Sequence, residues 1–388
     1  MAILKSPFAH LDLERFPVQQ NSPLQAFNAA DEYLLQRLHE LRLPKGSHVL
    51  VLNDSFGALA LSLCQQYRVS SCSDSFLAQQ GLTNNAHSNQ LTKALEEIKR
   101  ASRTCELEGS FDAVLIQIPK TLALLQDQLA GLQKLLNADT LVLAGAMIKH
   151  LPRAAGELLE QYIGPVQASL AQKKARLLQA QVAGLAEQPF PVSSTYAIPE
   201  FDLKLVNHPG IYSQDKLDVG TRLLLQHVPA RLGDQRVADL GCGNGVLALA
   251  CAQLNPQAQL VLVDESHAAV RSARDNWQAA FGQRDVEIFA GDGLRTLPPA
   301  SLDLVLCNPP FHQQQAMNDF LALRMFRQAH RTLKPGGELL VVGNRHLGYH
   351  AKLRRWFGKV EQLAAHPKFV VLRAVKTEKT GQTPAEKS

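Results

Sequence analysis

One order of apolar runs is written twice along this chain. Ser47-His-Val-Leu-Val-Leu52 leads into the Ala-Leu-rich run 58–64, and Val237-Ala-Asp-Leu240 leads into Val246-Leu-Ala-Leu-Ala-Cys251. Phe111-Asp-Ala-Val-Leu-Ile116 parallels Leu302-Asp-Leu-Val-Leu-Cys307, and Thr140-Leu-Val-Leu-Ala-Gly-Ala146 parallels Glu338-Leu-Leu-Val-Val-Gly-Asn344. Gly164-Pro-Val-Gln and Gly358-Lys-Val-Glu open the two closing segments. Offsets between matched positions stay between 188 and 198 residues. That period is far longer than the repeat of a solenoid, so the pattern describes a duplicated domain. Within each copy, short apolar runs alternate with helical patterns, which predicts an α/β fold with a parallel, doubly wound sheet. A chain of 388 residues has room for two such cores.

Between the matched runs, Leu34, Leu35, Leu38 and Leu41 recur at helical spacing and predict a helix over about 26–43. A short strand is expected over 68–72, a polar helix over 91–102 and an amphipathic helix over 122–136. In the second copy, Gln259-Leu-Val-Leu-Val-Asp264 and Val286-Glu-Ile-Phe-Ala-Gly-Asp-Gly293 read as the second and third strands. The join falls in a proline- and serine-rich stretch at about 184–200. The expected division is one domain over 1–185, a linker over 186–200, a second domain over 201–378 and a polar tail over 379–388.

The copies differ where chemistry would occur. In Val237-Ala-Asp-Leu-Gly-Cys-Gly-Asn-Gly-Val246, glycines at 241, 243 and 245 turn a strand into a helix, and Asp239 sits near the strand's carboxyl end. Such a turn needs residues that tolerate positive φ and let a ligand approach the backbone. The first copy carries Val51 in place of Asp239, and Asn53, Ser55 and Gly57 in place of the three glycines. It keeps the strands and loses the ligand turn, so its nucleotide pocket is expected to be degenerate. Asp264 lies about 20 residues past the glycine turn, where an acid can accept both hydroxyls of a ribose. Asp292 closes the third strand, placed either to accept from an exocyclic amine such as that of adenine or to serve as a turn or N-cap residue.

The fourth strand ends in Cys307-Asn-Pro-Pro-Phe311. Two prolines in series stiffen the backbone and remove two donors, leaving nearby carbonyls to accept. With the side-chain carbonyl of Asn308 and the flat face of Phe311, these groups can hold a planar amine by its hydrogens and its ring. No strong general base accompanies the motif. The six cysteines (64, 72, 105, 242, 251 and 307) form no CxxC pair and read as buried free thiols of a reducing compartment. A metal site is not expected.

These residues resemble the class I methyltransferases that use S-adenosyl-L-methionine and methylate exocyclic amines. The doubled domain with one stripped copy resembles the bacterial ribosomal RNA guanine-N2 methyltransferases. So does the loop Pro209-Gly-Ile-Tyr-Ser-Gln-Asp-Lys-Leu-Asp-Val-Gly-Thr221 before the second core. Asn344-Arg-His-Leu-Gly-Tyr349 and Lys368-Phe-Val-Val-Leu-Arg-Ala-Val-Lys376 are closest to the family's large-subunit members, whose architecture the small-subunit members share. The resemblance implies two tandem class I, Rossmann-like domains, the N-terminal one a degenerate scaffold that docks RNA and holds no cofactor. It further implies that Asp239, Gly241, Gly243 and Gly245 form the cofactor turn, that Asp264 binds the ribose, and that Asp292 binds the adenine. Asn308, Pro309, Pro310 and Phe311 would hold the guanine for transfer to its N2, and Tyr212, Ser213 and Thr221 would close over the pocket.

Charge adds an independent hint. Residues 1–195 hold 17 basic and 17 acidic residues, so the net +5 arises in the second half, and 324–388 carries 14 basic against 4 acidic. A polyanionic partner is expected there, ribosomal RNA in the family reading, with Arg324, Arg327, Arg331, Lys352, Arg354 and Arg355 as phosphate contacts. No apolar run reaches the roughly 20 residues of a membrane helix, and the N-terminus lacks a signal peptide's apolar core. A cytoplasmic protein is therefore expected, and a monomer fits this reading. Three rivals share parts of the pattern: the small-subunit enzyme, an adenine-N6 or protein-glutamine methyltransferase, and an RNA-binding scaffold with a relic pocket.

Overall fold

A computed structural model describes residues 2–19, 24–310 and 315–377. The chain divides into two compact units, Met1–Val192 and Ser193–Ser388. The first opens with a hairpin of β1 (Ala2–Lys5) and β2 (His10–Leu13). Its sheet comprises β3 (His48–Leu52), β4 (Arg68–Cys72), β5 (Lys99–Ala101), β6 (Phe111–Gln117), β7 (Leu136–Met147), β8 (Val166–Ala168) and β9 (Ala175–Gln181). The second unit opens with a hairpin of β10 (Ser194–Ile198) and β11 (Leu203–Asn207). Its sheet comprises β12 (Arg236–Leu240), β13 (Gln259–Asp264), β14 (Glu287–Ala290), β15 (Leu302–Cys307), β16 (Leu333–Asn344), β17 (Lys359–Ala365) and β18 (Phe369–Val375).

The two sheets have one topology, β5-β4-β3-β6-β7-β9-β8 and β14-β13-β12-β15-β16-β18-β17. Five strands of each are parallel, and β9 and β18 run antiparallel to both neighbours. The expected tandem Rossmann-like α/β domains are what the chain adopts. Parallel pairs need crossover helices, which cover both faces of the sheet, so the central strands are apolar on both sides. Val49 and Val51 join the cluster with Leu34, Leu35 and Leu38, while Leu50 and Leu52 face Leu125 and Leu129. In the second unit, Leu260 and Leu262 pack with Leu249 and Trp277, and Val261 and Val263 with Phe326. The repeat extends to a polar detail: Asp112 Oδ2 accepts from the His48 amide at 2.7 Å and Asp303 Oδ2 from the Arg236 amide at 2.9 Å.

Three expectations change, and one helix is additional. The polar helix over 91–102 is a helix over Thr92–Glu97 followed by β5, a short, charged edge strand with no apolar alternation to betray it. A helix over Phe76–Ser88, capped by Ser75, was hidden by its run of Gln and Asn. The expected linker ends in β10, which pairs along its whole length with β11. Among the cysteines, Cys105 is exposed and Cys64 half-buried, while the other four are buried. Among the described residues, no helix is long and apolar enough to cross a membrane.

In each sheet the strand order reverses beside the first parallel strand. The carboxyl ends of β12 and β15 therefore border a crevice, the place where doubly wound sheets hold ligands.

Candidate functional site

The turn leaving β12 has Gly241, Gly243 and Gly245 at φ of +75°, +54° and +85°. A Cβ on Gly245 would come within 3.2 Å of Leu262 and 3.3 Å of Ala273, so the fit of the turn against β13 and the helix His267–Phe281 requires glycine. Gly243 is different. A Cβ there would meet nothing among the described residues within 4 Å, leaving a left-handed backbone open to an approaching ligand.

Two carboxylates brace this turn. Asp239 is 1% exposed, and its Oδ2 accepts from the Ala248 amide at 3.1 Å, tying the strand end to the helix Val246–Leu254. Its Oδ1 is buried with no hydrogen-bond partner among the described residues, and burial, followed by the nearby Asp264 charge, pushes its carboxyl up to about 7. Asp264, half-buried, accepts from the Gly243 amide at 2.9 Å and from the Ser266 amide at 3.0 Å. Beside them, Asn244 donates to Tyr196 Oη and Asn207 Oδ1, both at 2.8 Å, and Asn276 donates to the Asn244 carbonyl at 3.0 Å. These buried amides tie the β10–β11 hairpin to the glycine turn; the sequence reading passed over them, because single Asn residues carry no pattern.

Across the crevice, Asn308 closes β15. Its Nδ2 donates to Asp218 Oδ2 at 3.0 Å and to Thr221 Oγ1 at 2.7 Å, while its Oδ1 is buried and has no partner among the described residues. An unpartnered buried acceptor costs free energy and points to a donor brought by a ligand. Pro309 is buried and Pro310 exposed; Phe311 lies outside the described residues. Thr221 is 7% exposed and sits in the first turn of the helix Val219–Leu225, which Asp218 caps by accepting from the Thr221 amide at 2.9 Å. Tyr212, 58% exposed, donates to Asp218 Oδ1 at 3.4 Å; burial, then the Asp218 charge, raises its phenol to about 12, so it stays a donor. Ser213 adopts φ +54° and donates from Oγ to the Lys216 carbonyl at 2.7 Å. Asp218 is the connecting residue that the reading of the loop missed, although its place three residues before Thr221 is an N-cap signal.

The basic candidates separate. Both Asp292 oxygens accept from Arg324, with Arg295 at 3.7 Å, and the Asp292 side chain is only 6% exposed. Arg331 donates to the carbonyls of Leu294, Arg295 and Leu297, and Lys352 pairs with Asp319 at 2.6 Å. Arg327, Arg354 and Arg355 are exposed and enter no ion pair among the described residues. Replacing Arg324 by Ala should therefore destabilise the second unit by about 2–4 kcal/mol in denaturant titration, because a buried carboxylate loses its two-point partner and keeps only Arg295; Arg327→Ala should leave stability within about 0.5 kcal/mol.

The first unit holds the same positions filled differently. Asn53, at Gly241's position and φ +62°, donates to the Gln117 carbonyl at 2.8 Å and exchanges hydrogen bonds with Gln128 at 2.9 and 2.7 Å. Its side chain thus bridges the ends of β3 and β6 across the crevice. Arg103 pairs with Asp127 at 3.1 Å, repeating the Asp292–Arg324 pair with the charges exchanged.

Three comparisons bear on this geometry. The family model described as RLMG N-terminal domain matches residues 1–184, and Methyltransferase small domain matches 202–373. Curated proteins named Ribosomal RNA large subunit methyltransferase G, from Stutzerimonas stutzeri and Pseudomonas putida, are each 57% identical over 376 residues. Each match covers 97% of this chain and 100% of the relative. Among solved structures, a T. thermophilus 16S rRNA N2 methyltransferase in complex with AdoMet and guanosine superposes with a TM-score of 0.78. At 21% identity and 97% coverage of both chains, that likeness establishes the fold.

Proposed function

The chain belongs to the ribosomal RNA large subunit methyltransferase G family, and on that premise we propose that it methylates the exocyclic N2 amine of a guanine in large-subunit ribosomal RNA, with S-adenosyl-L-methionine as donor. The observation that carries the proposal is the buried Oδ1 of Asn308, which has no partner among the described residues, across the crevice from an open, left-handed glycine turn.

The residues fit the cofactor. Gly243 leaves space above the turn, Gly241 and Gly245 shape it, and Asp239 braces it from below. Asp264 would take the ribose hydroxyls. A carboxylate offers about four acceptor positions and a bidentate guanidinium takes two, so Asp292 can take the adenine amine beside Arg324. When bound, S-adenosyl-L-methionine supplies an electrophilic methyl group on a sulfonium.

The chain's own residues address the other difficulty, the guanine amine. Its lone pair is delocalised into the ring, so it is a poor nucleophile. Asn308 Oδ1 and the Pro309 carbonyl would accept its two hydrogens, localise the lone pair and aim it, so that the contribution is orientation and electrostatics. Phe311 would stack on the base, and Tyr212, Ser213 and Thr221 would cover the pocket. The base must leave its stack to arrive there.

The first unit would dock RNA as a scaffold, and Asn53 bridging its crevice supports the reading that it holds no cofactor. Titration should then give one cofactor per chain. Arg327, Arg354 and Arg355 would meet phosphates in the cytoplasm's ribosomal RNA. Replacing all three by Ala should weaken RNA binding and flatten the slope of log K against log salt by about 2. The function itself is tested with methyl-labelled cofactor and protein-free large-subunit RNA, small-subunit RNA or DNA, followed by nucleoside analysis. Label in N2-methylguanosine from large-subunit RNA is the expected result. Label confined to small-subunit RNA, to methyladenosine or to no nucleic acid overturns the proposal.

A further inference from the structure

The acceptor that Asn308 offers depends on which way its amide faces, and an amide rotated by half a turn would present hydrogens instead. Asp218 fixes the direction. A carboxylate only accepts, so the group 3.0 Å from Asp218 Oδ2 must be Nδ2, and Oδ1 is thereby turned the other way. Thr221 Oγ1, 2.7 Å from the same nitrogen, can both donate and accept and therefore selects neither orientation. Its hydroxyl is 3.4 Å from Asp218 Oδ2, which as an acceptor draws the hydroxyl hydrogen and leaves the oxygen to receive Nδ2.

We propose that Asp218 is a positioning residue that locks the Asn308 amide with its carbonyl toward the acceptor amine, so that methyl transfer depends on a carboxylate at the cap of the helix Val219–Leu225. The proposal rests on the role given to Asn308 above. The first unit supplies an internal comparison. There Gln117, at Asn308's position, donates to Asp31, which follows the cap residue Asn28 by three positions as Thr221 follows Asp218. The grip of a helix's first turn on the strand-end amide is thus common to both units, but the carboxylate at the cap belongs to the second alone. The link also reaches outward, because Tyr212 donates to the other Asp218 oxygen and joins the loop to the same carboxylate.

Two variants separate positioning from folding. Asp218→Asn and Asp218→Ser both keep a good N-cap acceptor for the helix, so the cap bond to the Thr221 amide can persist. Asn at 218 can donate to Asn308 Oδ1 and let the amide turn; Ser removes the discriminating charge. Both are expected to lose roughly 10- to 100-fold in single-turnover methyl transfer to large-subunit RNA, the span expected for a hydrogen bond to a charged group. RNA and cofactor dissociation constants should stay within about 2-fold of wild type, as for an interaction felt only in the transition state. Combined with Asn308→Ala, neither should slow transfer further, because Asp218 acts through Asn308. Wild-type rates in the Asp218 variant that folds, or losses that multiply with that of Asn308→Ala, overturn the proposal. A normally active Asn308→Ala enzyme would instead overturn the role of Asn308, which keeps the two failures distinct.

Discussion

Asn308→Ala should lower the single-turnover rate of methyl transfer by at least about 100-fold while cofactor affinity stays within about 2-fold of wild type. The asymmetry follows from where the side chain sits. Asn308 closes β15, on the opposite side of the crevice from the glycine turn, so its loss leaves Gly241, Gly243, Gly245 and Asp264 in place. Its Oδ1 is buried with no partner among the described residues, an acceptor already desolvated and already aimed, and removing one such preorganised group costs about 10²–10³ in rate. The same truncation frees Asp218 and Thr221 from the Asn308 amide, so a modest fall in thermal stability accompanies it. Single-turnover transfer of labelled methyl, read beside an equilibrium cofactor titration, checks both halves. A variant that keeps its rate would remove Asn308 from the reaction, and one that loses cofactor binding would place it on the donor side.

The parts of the molecule written in runs could be read from the sequence. Val49 to Leu52 and Val237 to Leu240 are buried on both faces, and that demand produces the apolar runs, interrupted in the second by Asp239, that make the duplication legible. The glycine turn and Asn308-Pro-Pro were legible because backbone conformation and missing donors restrict residue choice strongly. Pairing across distance was not legible. Arg324 and Lys352 look like free cations in a basic stretch, yet Asp292 and Asp319, 32 and 33 positions away, take them. In the sequence Asp218 is one residue of a loop; its contact with Asn308 spans 90 positions and exists only once the two elements are packed. The edge strand Lys99–Ala101 fails for a related reason, since a short charged strand is defined by the neighbour that receives it.

Gly241→Asn should abolish measurable cofactor binding, weakening it by more than about 100-fold (about 2.7 kcal/mol), while the protein stays folded. The chain has made this substitution once already, since Asn53 occupies the matching position of the first unit at φ +62°, close to the +75° of Gly241. Asn tolerates the left-handed region better than any other side chain that could be introduced, so the backbone need not move. Its Cβ would lie 3.3 Å from Met325 Cε, the end of a flexible side chain that can yield. The rest of the side chain would then follow the path of Asn53, which reaches a carbonyl on β6 and the Gln128 amide, and would cross the space between β12 and β15. Thermal unfolding should shift by only a few degrees, whereas cofactor titration should show no saturation and methyl transfer none above background. Gly241→Ala is the control that tells filling from strain, because it meets the same φ without the bridging amide and should retain part of the affinity. If Gly241→Asn bound cofactor as wild type does, Asn53 could not be what closes the first unit's crevice, and the assignment of a single cofactor per chain would lose its physical basis.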